Sequence, residues 1–166
     1  MATTTGVQRL NDSSRADLID RLLSCLDITR WAADVADARP FADAEAVLKA
    51  ADVAAPGLTD SEIHQALAAH PRIGERPKDT GRSAEFSRSE QAAVGDDLAE
   101  ELRAANLEYE ERFGHVYLVC ASGRSGEELL EILRSRLDNT PADELRIVDS
   151  ELRKIAALRL AKEIEA

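Results

Sequence analysis

The chain has 166 residues, of which 44% are hydrophobic and 32% charged, a balance typical of a soluble globular protein rather than a disordered one. Its 32 acidic and 21 basic residues give a formal net charge of −11, which disfavours nucleic acid and anionic membranes as partners but not a small anionic substrate. Aromatic residues make up only 4%, and the abundant alanine and leucine favour helices over sheets.

Cysteine usage and the N-terminal sequence favour a cytoplasmic protein. Cys25 and Cys120 are too few for a disulfide framework, and they lack the Cys-x-x-Cys spacing of zinc sites. The sequence MATTTGVQRL has no apolar stretch resembling a secretory signal, and no segment approaches the length of a membrane span. We expect residues 1–10 to be a flexible N-terminus and residues 11–166 to form one helical domain.

Helix start and stop signals predict three helices before residue 56. Ser14, three residues before Asp17, indicates the start of the first helix. Thr29 is expected to cap the second helix, which ends before Pro40. The periodic segment FADAEAVLKAADVA then forms the third.

A fourth helix leads into the motif HPRIGE. Thr59 and Glu62 have capping-box spacing, and the apolar pattern continues as far as His70. The helix is expected to end there, because Pro71 disfavours the helical conformation for the residue before it. Residues 71–86 show no periodicity, and loops of this length in compact domains are often functional.

The second half is predicted to contain further helices and one extended segment. The sequence HVYLVCAS, 115–122, has a β-like composition but no partner strand, so a short buried extended stretch is expected. The signals that open the remaining helices are Ser87 with Glu90, Ser125 with Glu128, and Thr140-Pro141. The whole pattern predicts a single compact all-α domain of about seven or eight helices.

Metal and nucleophilic chemistry have little support in the residue spacing. His64 and His70 are six residues apart rather than three or four, and His115 stands alone, so no metal site is expected. Cys120 lies in an apolar run, where thiols are usually inert. The serines of the segment ASGRS lack a Gly-x-Ser-x-Gly context and are expected to be helix caps.

His70 and Glu90 are the best candidates for acid–base chemistry. A histidine with a pKa of about 6.5 can exchange protons near neutral pH, and a carboxylate beside it can fix its tautomer or share the transfer. On spacing alone, two simpler interpretations stay open. His70 can be a helix-terminal imidazole, and Glu90 can be the capping-box partner of Ser87.

Four segments in series resemble one enzyme family. They are HPRIGE at 70–75, SRSEQ at 87–91, RFGHVYLVCASGRS at 112–125 and ELRKIAALRL at 151–160. Together they resemble the OHCU decarboxylases, the 2-oxo-4-hydroxy-4-carboxy-5-ureidoimidazoline decarboxylases of the ureide branch of purine degradation. The likeness extends over nearly all of the chain after about residue 10.

The resemblance implies an all-α enzyme that works without a metal ion or organic cofactor, often as a homodimer. It places the catalytic histidine at His70 and the second acid–base residue at Glu90. The substrate contacts that it implies are Pro71, Ser87, Gln91, the backbone of Val119, Cys120 and Ala121, and Arg159 of the last helix. The sequence HPRIGE stands where many eukaryotic members have a version like HPDLAG, which indicates a bacterial-type member and leaves the roles of Arg72 and Glu75 open.

The implied substrate is an anionic ureide with a hydroxyl and a carboxylate on one ring carbon, beside an imine. Loss of carbon dioxide sends the electron pair into the imine, so the substrate supplies its own electron sink. His70 and Glu90 would then move protons, and delivery to one face would give (S)-allantoin. Arg72 is expected to add positive potential for the anionic substrate.

Two other functions remain compatible with the residues. The chain can be a non-catalytic all-α interaction or regulatory domain, in which HPRIGE is a surface turn. It can also be a cofactor-free lyase or hydrolase that acts on a related ureide.

Overall fold

The computed structural model describes residues 5–73, Phe86 and 98–165, and the regular structure in these ranges is entirely helical. The eight helices described there are α1 Gly6–Asp12, α2 Arg15–Cys25, α3 Thr29–Asp37, α4 Ala44–Ala54, α5 Asp60–Leu67, α6 Ala99–Phe113, α7 Gly126–Arg136 and α8 Pro141–Glu165. The predicted all-α fold is therefore confirmed. None of these helices combines the length and the apolar character that crossing a membrane requires.

The chain divides into two units, of which the first comprises residues 1–62 and 153–166 and the second residues 63–152. In the first unit, helix α1 occupies the second half of segment 1–10, for which the sequence predicts a flexible N-terminus. The Thr5 hydroxyl accepts a hydrogen bond from the backbone N–H of Gln8 at 3.1 Å, and Leu10 is buried. The spacing Thr5-x-x-Gln8 is itself a capping-box signal for the start of this helix.

Two of the predicted helix starts, at Ser14 and Thr29, are correct to within one residue, whereas the helix predicted over 41–54 begins three residues later than expected, at Ala44. The Ser14 hydroxyl accepts from the backbone N–H of Asp17, as expected for an N-cap. Thr29, in contrast, is the first helical residue of α3 rather than its cap. The N-cap position belongs to Ile28, which has no side-chain hydrogen bond to offer, and burial of Ile28 explains an apolar residue there.

The core of the first unit is built where α3 packs between α2 and α4. Trp31 is 1% exposed, and its indole N–H donates to the carbonyl of Ala51 at 3.0 Å, in the last turn of α4. At the N-terminus of α5, Thr59 and Glu62 form the predicted capping box, each backbone N–H donating to the other residue's side chain. Arg30 of α3 donates twice to the carboxylate of Glu62.

In the second unit, α6 packs against α7 around a hydrophobic core that includes Tyr109, Tyr117 and Leu133. Gly114 ends α6 with a φ of 77°, a left-handed conformation that glycine adopts without strain. Leu107 of this helix is a large apolar side chain that is 56% exposed.

The segment 116–121 that follows α6 has neither helix nor strand, and four of its residues are buried, Tyr117, Leu118, Val119 and Ala121. This confirms the predicted buried extended stretch.

Candidate active site

His70 lies in a tightened turn at the end of α5. The helix ends at Leu67, three residues earlier than predicted, and the backbone N–H groups of Ala69 and His70 then donate to carbonyls three residues back, at 3.2 and 3.1 Å. A closing turn of this kind is common where the next residue is proline, because Pro71 keeps His70 out of the α conformation. His70 and Pro71 are both half-buried, so the imidazole sits at the edge of the unit on a bent backbone.

Two residues of α6 fix the turn that follows His70. The buried amide of Asn106 donates to the carbonyl of Ile73 at 2.9 Å. Arg72 makes a two-point ion pair with the Glu110 carboxylate, with Nε on Oε1 and Nη2 on Oε2 at 3.2 Å. The charge of Arg72 is therefore compensated by a carboxylate, and the expected positive potential for the substrate is reduced accordingly.

Side chains hold the extended segment by its carbonyl oxygens. Arg136 Nη1 donates to the carbonyl of Leu118 at 2.7 Å, and Arg124 Nε donates to the carbonyl of Cys120 at 3.2 Å. The Tyr117 hydroxyl donates in the other direction, to the carbonyl of Leu129 at 2.9 Å. These bonds take the place of the ladder that a neighbouring strand would supply.

Arg136 belongs to a buried polar network. Glu144 is fully buried, and its Oε1 accepts from Arg136 Nε at 2.7 Å and from the Tyr109 hydroxyl at 2.5 Å. Arg136 Nη2 also lies against this oxygen, and Asn139 Nδ2 donates to Oε2 at 3.0 Å. The rings of Tyr117 and Tyr109 lie 5.0 and 5.9 Å from the guanidinium carbon, within reach of a cation–π interaction.

Burial and the ion pair shift the titration of this network. Burial alone lowers the pKa of the Arg136 guanidinium, but the hydrogen bond and the charge of Glu144 outweigh it, so that this pKa lies above its ordinary value. Burial also raises the pKa of the Tyr109 hydroxyl, and its hydrogen bond to Glu144 raises it further. The pKa of Tyr117 is raised mainly by burial. Arg136 therefore stays charged and both tyrosines stay neutral at any physiological pH.

His115 does not stand alone as the sequence suggested. Its ring lies edge-on to that of His64, with centroids 5.6 Å apart, and at 5.6 Å from Tyr109 as well. His115 Nδ1 is 3.1 Å from the carbonyl of Val116, a geometry in which the ring nitrogen donates. Within the described ranges, no three His, Cys, Asp or Glu side chains form a group that could hold a metal ion.

A cavity of about 480 Å³ lies beside the turn. Its lining within the described ranges is Arg72, Ile73, Ala99, Glu100, Arg103, Asn106 and Leu107. The residues predicted to contact substrate at 70–71 and 119–121 are not among these lining residues. The cavity therefore lies next to the turn that follows His70, between that turn and helix α6.

Two of the segments that are predicted to form the site share one hydrophobic core. Ile73, three residues after His70, belongs to the same buried cluster as Val119 and Ala121. Ser87, Glu90 and Gln91 lie outside the described residues, as does Glu75.

Arg159 lies in the first unit and is described there. It is 1% exposed, and its Nη1 donates to the carbonyl of Ser24 at 3.0 Å. The helix α8 that carries it also pairs Glu163 with Arg21 of α2, at 3.1 Å.

Sequence reasoning missed four residues that organise the second unit, namely Asn106, Tyr109, Arg136 and Glu144. Each looks ordinary along the chain, as a helix surface or helix end residue. The signal that was present is the density of hydrogen-bonding groups in RSRLDNTPADE, which spans the end of α7 and the start of α8.

Comparison with known proteins shows the family to which this architecture belongs. The OHCU decarboxylase family model matches residues 11–161. The chain belongs to the OHCU decarboxylase family. It is 28% identical over 162 residues to the 2-oxo-4-hydroxy-4-carboxy-5-ureidoimidazoline decarboxylase of Haloferax volcanii, covering 96% of this chain and 95% of that protein. It is 32% identical over 134 residues to the decarboxylase of the same name from Amia calva, covering 78% and 77%.

Two further matches add context. A crystal structure of OHCU decarboxylase in the presence of (S)-allantoin matches with a TM-score of 0.75 and 27% identity, covering 89% of this chain and 99% of that one. The uric acid degradation bifunctional protein TTL of Arabidopsis thaliana is 33% identical over 145 residues, covering 83% of this chain. The matched region is only 44% of that protein's length, so the chain corresponds to less than half of it.

Proposed function

We propose that this chain is a carboxy-lyase that converts 2-oxo-4-hydroxy-4-carboxy-5-ureidoimidazoline to (S)-allantoin in urate degradation. The observation that carries the proposal is the family match over 11–161, which includes the HPRIGE turn and the extended segment. Relatives matched over most of their length bear the decarboxylase name, and a solved relative was crystallised in the presence of (S)-allantoin.

The reaction depends more on proton transfers and on holding the substrate ring in one orientation than on a cofactor. The bond between the ring carbon and the carboxylate breaks, its electron pair forms a C=C bond to the neighbouring carbon, and the C=N electron pair moves onto the ring nitrogen, which takes up a proton. The hydroxyl on the same carbon loses its proton as it becomes a carbonyl. The neighbouring carbon, which carries the ureido group, gains a proton on one face, and this step sets the configuration of the product.

His70 is proposed as one proton-transferring group and Glu90 as the other. The closing turn of α5 and the bonds of Asn106 and Glu110 to the residues after it support this role for His70, because they fix the backbone from which the imidazole projects. Positioning of this kind, together with acid–base help, accounts for a rate gain of many orders of magnitude in other enzymes.

The remaining groups are proposed to hold the substrate. The backbone of Val119, Cys120 and Ala121 would form one wall of the substrate site. Arginine side chains hold this segment through the carbonyls of Leu118 and Cys120. Pro71, Ser87, Gln91 and Arg159 complete the proposed contacts. The proposal also includes a cytoplasmic homodimer that uses no metal or organic cofactor. Light scattering of the purified protein measures its oligomeric state, and addition of a chelator should leave the activity unchanged.

The test is to add the purified protein to freshly hydrolysed 5-hydroxyisourate, which supplies the unstable substrate. A decarboxylase accelerates the loss of substrate absorbance, releases carbon dioxide and gives allantoin with the circular dichroism of the S enantiomer. A binding domain accelerates nothing, and a hydrolase opens the ring without releasing carbon dioxide; either result would refute the proposal.

The same assay tests the role of His70. The His70→Asn variant should lose about 10²–10⁴ in turnover and keep its helical circular dichroism, since a half-buried side chain at a helix end contributes little to the core. Turnover close to that of the wild type would remove His70 from the proposed mechanism.

A further inference from the structure

We propose that Arg136 is a positioning residue for the decarboxylation. It sets the orientation of the backbone in the extended segment 116–121 and is itself held in place by the carboxylate of Glu144. The inference rests on the proposed function, because it assumes that the backbone of Val119 to Ala121 contacts the substrate. It adds a residue that lies outside the segment and acts only through it.

The first step of the argument is the planarity of the peptide bond. The carbonyl of Leu118 and the N–H of Val119 belong to one rigid plane and point in opposite directions in a trans peptide. Arg136 Nη1 holds that carbonyl at 2.7 Å, so it also fixes the direction of the Val119 N–H. Arg124 holds the carbonyl of Cys120 in the same way, which fixes the N–H of Ala121.

The second step is that segment 116–121 belongs to no helix or strand of the described structure, so no regular hydrogen-bond ladder orients its peptide planes. Hydrophobic burial of Tyr117, Val119 and Ala121 fixes where the segment lies, but it is non-directional and leaves peptide planes free to rotate. A directional bond from a charged donor is what selects one rotation, and charge-assisted bonds are the stronger kind.

The third step concerns Arg136 itself. A guanidinium on a long flexible side chain positions a carbonyl only if its own place is fixed. Arg136 is 5% exposed and donates to the carboxylate of Glu144, which is fixed in turn by the hydroxyl of Tyr109 and the amide of Asn139. The rings of Tyr109 and Tyr117 also face the guanidinium. With Nε bound to Glu144, Nη1 is the group that donates to the carbonyl of Leu118.

The test compares two variants that both disturb the network. The double variant Arg136→Met/Glu144→Gln removes the bond to Leu118 and both charges together, while the new amide can still accept from Tyr109. The control Tyr109→Phe removes a hydrogen bond to the same carboxylate but leaves the bond from Arg136 to Leu118 intact. Both are assayed at a temperature where circular dichroism shows them folded.

The double variant should raise KM and weaken the binding of (S)-allantoin about tenfold, the worth of one well-placed hydrogen bond. Tyr109→Phe should stay within about twofold of the wild type, as expected when only the support is weakened. Equal KM values and allantoin affinities in the two folded variants would overturn the positioning role. If the double variant does not fold, Arg136→Lys replaces it, because an ammonium cannot reach Glu144 and Leu118 with the same fork; an unchanged KM there also overturns the role.

Hydrogen exchange separates this inference from the proposed function. Amides of residues 117–122 should exchange at least about tenfold faster in the double variant than in Tyr109→Phe, since the carbonyl anchor is lost. A wild-type protein without decarboxylase activity refutes the proposed function, and the exchange comparison still decides whether Arg136 orders the segment. Equal exchange in the two variants overturns the inference whatever the activity.

Discussion

Removal of one partner of the Arg136–Glu144 ion pair should cost far more stability than removal of both. Arg136→Met leaves the carboxylate of Glu144, which is fully buried, without its cation. Unpaired buried charges of this kind destabilise proteins by about 3–5 kcal/mol. For a chain of this length each kcal/mol lowers Tm by about 2–4 °C, so the single variant should melt about 6–20 °C below the wild type.

The double variant Arg136→Met/Glu144→Gln removes the charge together with its partner. Its main loss is the bond to the Leu118 carbonyl, worth about 1–3 kcal/mol when the carbonyl is left buried. Urea unfolding followed by circular dichroism at neutral pH measures both variants against the wild type. If the double variant is as unstable as the single one, the cost does not come from an uncompensated charge, and the reasoning fails.

Three other substitutions give separate checks. Glu90→Gln should lower turnover by about 10²–10⁴ with Tm nearly unchanged, because an amide can cap a helix but cannot exchange a proton; retained activity with a lower Tm would make Glu90 a helix cap only. The hydrogen bond from Arg30 lowers the pKa of Glu62 from its ordinary value of 4.5, so the stability from this pair is present above that pH and is lost as the pH falls. Glu62→Gln should therefore cost below about 1 kcal/mol at pH 7, as for other partly exposed pairs, and progressively less as the pH falls below 4.5 in urea unfolding. Trp31→Phe removes the N–H that caps a carbonyl in the last turn of α4 and leaves a gap in the core, so it should cost about 2–4 kcal/mol by thermal melting; a loss below about 1 kcal/mol would show that this bond contributes little.

Local features of the fold were readable from the sequence. Capping boxes such as Thr59 with Glu62 and the glycine stop at Gly114 depend on residues within a few positions of one another. Such interactions leave a pattern in the sequence because the side chain and the backbone group that it satisfies are neighbours along the chain. The same logic would have found α1 from Thr5 and Gln8.

The supports of the candidate site were not readable in this way. Tyr109 and Glu144 are 35 residues apart, and Asn106 and Ile73 are 33 apart. Nothing in the sequence near Arg136 distinguishes a buried guanidinium from a solvated one at a helix end. The identity of the partner is decided by how the helices pack, and packing is a property of the whole unit.

Helix α6 makes the second unit sensitive to changes of length. Asn106, Tyr109 and Glu110 occupy one face at spacings of three and four residues, and they reach the turn after His70 on one side and Glu144 on the other. Each residue added to a helix turns everything beyond it by about 100°. A single insertion or deletion between Asn106 and Glu110 would therefore move these side chains off their common face and break at least one of the three contacts, whereas most substitutions on the exposed side of α6 would break none. Homologous chains should accordingly vary in the composition of this helix while keeping the spacing from Asn106 to Glu110.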